Sequence, residues 1–173
     1  MSDLLELASA PWRAAVIQDF ARSELFERTF QEGMELVEET AAYLDGGGRQ
    51  DSKLLSRAAA LAYASESMRL TTRLMQVASW LLVQRAVREG DMAPHAACED
   101  RYRLGAEAVC LGEADPVATE LPGGLLTLLE RSGRLYERVR HLDRRMYLEA
   151  DQVEGPHPVQ EQHNRLMDAF GRA

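Results

Sequence analysis

From Asp51 to Glu89 the chain runs 39 residues without a glycine or a proline, and Gly90 follows directly. No other feature constrains the fold as much. As one uninterrupted helix this stretch would span roughly 58 Å. Two columns run along it at seven-residue spacing. One is large (Leu54, Leu61, Met68, Met75, Leu82) and the other, four residues on, is small (Ala58, Ser65, Thr72, Ser79, Ala86). Alternating large and small columns suit a closely approaching partner helix, whose knobs fill the space left by the small residues. Leu70, Leu74, Val77, Trp80 and Leu81 spread the apolar character to the far side. A helix apolar most of the way round must be covered on several sides, so these five are expected in helix packing and a dimer contact.

Helices are expected on either side of this rod. Ser23 reads as an N-cap, with Glu24 and Glu27 favouring the positive end of the dipole. Phe26, Phe30, Met34, Val37, Ala41 and Leu44 then recur every three or four residues. The run Asp45-Gly46-Gly47-Gly48 stops this helix, since glycine takes a left-handed C-cap cheaply. It lacks the strand and the Gly-Lys-Ser/Thr order of a phosphate loop. The central helix is expected to be capped by Asp51 or Ser52. After a long connection over 90–118, a third helix from about Leu121 to Glu149 carries the cleanest repeat: Leu121, Leu125, Leu128, Ser132, Leu135, Val139, Leu142, Met146. Its outer face is basic where the first helix is acidic, which places the two as complementary neighbours. The predicted fold is therefore an all-α, antiparallel three-helix bundle over residues 23–149. It has a long central helix, a packing arm at 1–22, and a mobile C-terminal tail at 150–173. There Val159, Leu166 and Phe170 form one face of a short final helix.

Charge and motif content narrow the function classes. A net charge of −8 repels phosphate backbones, arguing against nucleic acid and anionic membranes as main partners. No apolar run is long enough to span a bilayer, and the first residues do not read as a secretory signal. Cys98 and Cys110 are then expected as reduced thiols of a cytoplasmic protein. His95, Cys98, Cys110 and His141 match no zinc spacing, and no nucleophile elbow is present. The reading is a non-enzyme without metal or cofactor. One polar stripe stands against it: Glu66, Arg69, Arg73 and Gln76, spaced 3, 4 and 3 on the central helix. Two guanidiniums beside an acid can grip an anionic substrate, which keeps a small helical enzyme as an alternative, with a structural assembly protein as another. The stripe reads first as ion pairing to the first helix or a second subunit.

The words YASESMRLTTRLMQVASWLL (Tyr63 to Leu82) and LVEETAAYLDGGGR (Leu36 to Arg49) carry a resemblance to a known family. With a weaker continuation through Leu121 to Asp143, the chain resembles the RcdA-like proteins, bacterial regulators of CtrA degradation. The resemblance implies a dimeric three-helix bundle with a flexible tail. It also implies a non-enzymatic adaptor for the ClpXP protease, which joins a complex primed by a response regulator and tethers cell-cycle substrates for degradation. Contacts to such protein partners are expected at Glu66, Arg69 and Arg73, on the basic face at Arg134 and Arg138, and in the tail at Leu166 and Phe170.

Overall fold

The computed structural model describes residues 2–113 and 120–147, with side chains from residue 12 onward. Every regular element among them is helical: α1 (Ser2–Arg22), α2 (Glu24–Asp45), α3 (Gly47–Ser52), α4 (Arg57–Glu89), α5 (Glu107–Cys110) and α6 (Gly123–Tyr147), with single 3₁₀ turns at Ala96–Cys98 and Asp100–Tyr102. The expected tail contacts Leu166 and Phe170, with Val159, lie outside the described residues.

The N-terminal stretch, expected as an arm, is a full helix. Ile17 and Ala21 are completely buried, and the Phe20 ring stacks edge-on to Phe26 at 5.8 Å and against Trp80 at 5.6 Å. One residue links α1 to α2. Ser23 is extended there and its hydroxyl accepts from Phe26 N at 3.1 Å, the expected cap.

The central rod is shorter than expected. It begins at Arg57, because Ser56 and not Asp51 or Ser52 takes the extended cap conformation and accepts from Ala59 N at 3.2 Å. Residues 47–52 form the separate turn of helix α3. Gly46 closes α2 without entering the left-handed region; that conformation appears at Gly90, φ +83°, which ends α4. Gly48 is the close-approach residue of this corner, since a Cβ there would stand 2.6 Å from both Tyr43 and Tyr63.

On α2 the buried column is Phe26, Thr29, Gly33, Leu36 and Thr40, rotated from the predicted apolar one. Small residues decide this. A Cβ at Gly33 would lie 2.8 Å from Leu81 Cδ1, so the glycine lets α2 settle closely onto α4, leaving Val37 and Leu44 half-covered and Ala41 exposed. On α6 the predicted seam holds: Leu121, Leu125, Leu128, Ser132, Leu135, Val139 and Met146 are buried, joined by Tyr136, Asp143 and Tyr147. The acidic and basic helices meet as expected, with Arg131 on Glu39 at 2.6 Å and Arg138 on Glu32 at 2.7 Å.

The antiparallel expectation needs a correction for α6. Glu27 pairs with Arg88 and Gly33 faces Leu81, so α2 does run against α4. But Arg73 of α4 reaches Leu129 and Ser132, and Trp80 reaches Asp143; α6 therefore runs with α4. The reason is the connection between them. From Gly90 the chain turns back along α4, with Gly105 beside Gln76, Cys110 beside Arg73, Gly112 beside Arg69 and Glu120 beside Ser56. It returns to the start of α4 before α6 begins. We call the described residues of this connection, 91–113 and 120–122, the return strap.

Candidate functional site

The polar stripe of α4 faces the return strap. Arg69 donates through Nη1 to Gly112 O and through Nη2 to Glu113 O at 2.6 Å, with Glu66, almost fully buried, 3.5 Å away. Arg73 donates through Nε to Cys110 O at 2.7 Å and through Nη1 to Leu129 O at 3.0 Å. Gln76 accepts from Gly105 N at 3.1 Å. Polar groups do converge on the two arginines, but they are mainly main-chain carbonyls of the strap and of α6, with the Glu66 carboxylate and the Ser132 hydroxyl beside them, and they fill the place an anionic substrate would take. Burial, reinforced by the neighbouring Arg69 charge, pulls Arg73 below the usual arginine range.

Three residues of α6 complete the arrangement, and sequence reasoning passed over all of them. Asp143, 2 % exposed, accepts from Trp80 Nε1 at 3.0 Å, Leu104 N at 3.1 Å and Arg103 Nη2 at 3.2 Å. Tyr136 donates to Gly105 O at 2.8 Å, and Tyr147 to Ala97 O at 2.7 Å. Burial raises both phenols above the ordinary tyrosine range. Their signal was the second column of α6: Tyr136 and Asp143 stand seven residues apart, inside the packed side of an amphipathic helix.

The other side of α4 is bare. Of the large column, Leu61, Met68, Met75 and Leu82 are 75 %, 72 %, 60 % and 52 % exposed, and Leu54, in the turn before α4, is 87 % exposed. Leu70, Leu74, Val77, Trp80 and Leu81, expected to serve helix packing and a dimer, lie in the chain's own core, packed between its helices. All charged residues of α4 between Ala58 and Gln84, namely Glu66, Arg69 and Arg73, belong to the strap side. The outward face is therefore apolar or small and uncharged for more than six turns. Beside it a cleft of ≈ 360 Å³ runs between α2 and α4, its wall including Val37, Ala41, Leu44, Leu74 and Met75.

Of the remaining expected contacts, Arg134 is exposed and pairs with Glu130 one turn away, while Arg138 is held by Glu32. These two do not meet the Arg69–Arg73 cluster. Cys98 and Cys110 are free thiols, raised above the usual range mainly by burial. Among the described residues no three His, Cys, Asp or Glu side chains stand close enough to hold a metal, and no helix is long and apolar enough to cross a membrane.

Comparison with known proteins gives a family and a solved relative to set beside this geometry. The family described as "Protein of unknown function (DUF1465)" matches residues 17–170, so its pattern extends through the strap and into the tail, beyond the words that carried the resemblance. No protein with a curated description matches. Among solved structures the chain is similar to RcdA from Caulobacter crescentus CB15, at 70 % identity and a TM-score of 0.63, over 76 % of this chain and 98 % of that one. A likeness of that depth over nearly the whole of the relative places the protein in the RcdA-like family, to which the chain belongs.

Proposed function

We propose that this protein is a non-enzymatic adaptor in regulated proteolysis, a cytoplasmic homodimer that tethers substrates to a ClpXP-type protease complex. The observation that carries the reading is the uncharged outward face of α4. Four large apolar side chains at seven-residue spacing, Leu61, Met68, Met75 and Leu82, stand in water, and covering each would contribute roughly 1.5–3 kcal/mol. Exposed apolar surface on this scale marks an interaction site. The likeness to RcdA supports the choice of proteolysis as its setting.

The face is also its own complement. Read either way from Thr72, the small column runs Ser, Ala (Ser65 and Ser79, Ala58 and Ala86), and the large column reads Leu61, Met68, Met75, Leu82. Two copies crossing antiparallel about a two-fold axis near Thr72 set Met68 against the second copy's Met75 and Leu61 against its Leu82, with the small columns of both copies alongside. A self-complementary patch is what an isologous interface requires.

Analytical ultracentrifugation tests the assembly: the natural chain sediments at twice its 19.4 kDa, and Met68→Asp with Met75→Asp sediments as a folded monomer. A natural chain that stays monomeric at tens of micromolar removes the dimer. Reconstituted degradation tests the activity: adding the protein speeds proteolysis of a tethered cell-cycle substrate, and Arg134→Glu with Arg138→Glu weakens capture of the protease complex. Unchanged capture takes α6 off the list of partner surfaces. The enzyme alternative is disfavoured because Arg69 and Arg73 already spend their donors on the strap.

A further inference from the structure

The middle of the return strap, residues 99–109, lies along α4 and α6 without burying a single side chain. Two plugs bracket it, Ala97 and Cys110, both fully buried. Between the plugs the grip is polar. Asp143 takes the Arg103 guanidinium and the Leu104 amide, Gln76 takes the Gly105 amide, and Tyr136 holds the Gly105 carbonyl. Main-chain groups make three of these four contacts, which is how a groove binds an extended peptide irrespective of most of its sequence. Arg103 is itself extended, φ −71° and ψ 156°. Ala106, next in line after Gly105, sits at φ +58°, a conformation disfavoured for a residue with a Cβ. An open cleft of ≈ 450 Å³ already adjoins the segment, with Arg103, Gly105, Arg140 and Asp143 in its wall. A segment with few buried side chains and a strained residue belongs to the part of a structure that opens first.

When it opens, Asp143 loses two of its three donors, the Arg103 guanidinium and the Leu104 amide, and keeps Trp80 Nε1, which favours a replacement that restores them. We infer that the strap is a resident stand-in and that the α4–α6 groove is a binding site for an extended segment of a partner protein carrying Arg, an apolar residue and Gly in succession, which displaces Arg103-Leu104-Gly105. Each position has its reason. Arginine satisfies Asp143. The middle residue takes the half-buried place of Leu104. Glycine is favoured because Gln76 Oε1 lies 3.2 Å from where a Cβ would project, so a larger residue makes the Gln76 side chain give way. This site is separate from the outward face of α4 and stands or falls independently of dimerisation and protease capture.

The test uses the full chain and a fluorescein-labelled peptide copying residues 101–108, read by anisotropy. Arg103→Ala loosens the strap while leaving every groove residue in place. It is expected to speed amide hydrogen exchange across 100–109 and to bind the peptide at least about tenfold more tightly than the natural chain does, the worth of one charge-assisted hydrogen bond. Binding is lost when the peptide residue copying Arg103 is replaced by Ala, with the one copying Arg101 kept, and when Asp143→Asn is added to the protein. Gly105→Ala, which crowds Gln76 instead of emptying Asp143, is the second opener and is expected to raise peptide binding as well. A strap opened in the exchange experiment with no gain in peptide binding overturns the inference, as does equal binding of the peptide lacking the copy of Arg103. So does the absence of faster exchange in both variants, or loss of the far-ultraviolet helical signal in both, since the segment is then integral to the fold.

Discussion

Arg73 illustrates how a charge is kept inside a helical bundle. Its guanidinium is tolerated because Cys110 O and Leu129 O meet it from two different elements, tying the strap and α6 to α4 at one point. Arg73→Ala leaves both carbonyls without that donor and is expected to cost about 1–3 kcal/mol in urea unfolding. The glycine corner offers a sharper comparison between neighbours. Gly48→Ala drives a Cβ to 2.6 Å from two tyrosines and 2.9 Å from a main-chain oxygen, an overpacking expected to destabilise by about 1–3 kcal/mol. Gly47→Ala meets nothing within 4 Å and is expected to be neutral or slightly stabilising, by up to about 1 kcal/mol; paired denaturation curves check both. At this scale the stripe Glu66–Arg69–Arg73–Gln76 was legible from its spacing. Its partners were not, because main-chain carbonyls of a loop leave no mark in the sequence.

The elements were legible in kind and less so in their limits. Every apolar position of the α6 seam but Leu142 is buried, because a helix packed along one side has only one way to place a 4-3 repeat. The start of α4 was misplaced, since no breaker separates Asp51 from Ser56 and the column through Leu54 continues the pattern of Leu61. Ser56 carries the cap, and Ser56→Ala is expected to cost about 1 kcal/mol, while Ser52→Ala, whose hydroxyl donates only to Arg49 O, costs less; thermal unfolding separates the two. The face of α2 turned because Thr29, Gly33 and Thr40 admit closer contact than the bulkier column beside them, and a count of apolar residues does not register closeness. The direction of α6 was open to a length argument. More than 30 residues separate Gly90 from Gly123, ample at about 3.3 Å each to recross a 33-residue helix.

For the whole molecule, ionisation and shape both follow from what is covered. Tyr43 is raised to about 12, chiefly by burial and then by Tyr63 and Asp51; burial also raises Tyr63, Tyr136 and Tyr147. A folded-state value above the unfolded one means the native chain holds its proton more tightly. The stabilisation is therefore complete below about pH 10 and is lost as pH climbs through 12. Urea midpoints are expected to be level from pH 8 to 9.5 and to fall steeply above pH 10.5, less steeply for Tyr43→Phe. The overall helical class was readable from residue pattern alone. Which side of α4 stays open was not, because the same rod is apolar both toward the core and away from it, and only the positions of Glu66, Arg69 and Arg73 distinguish the two.

The same-sense course of α4 and α6 has a geometric outcome. It brings Tyr147 to the pole where α4 ends, so the 26 residues that follow start from that pole. When two copies lie head to tail along α4, their exit points sit at opposite extremities, separated by a distance on the order of the 50 Å that 33 helical residues occupy. In such a pair the two Tyr147 ends are far apart, and one small body cannot easily touch both at once.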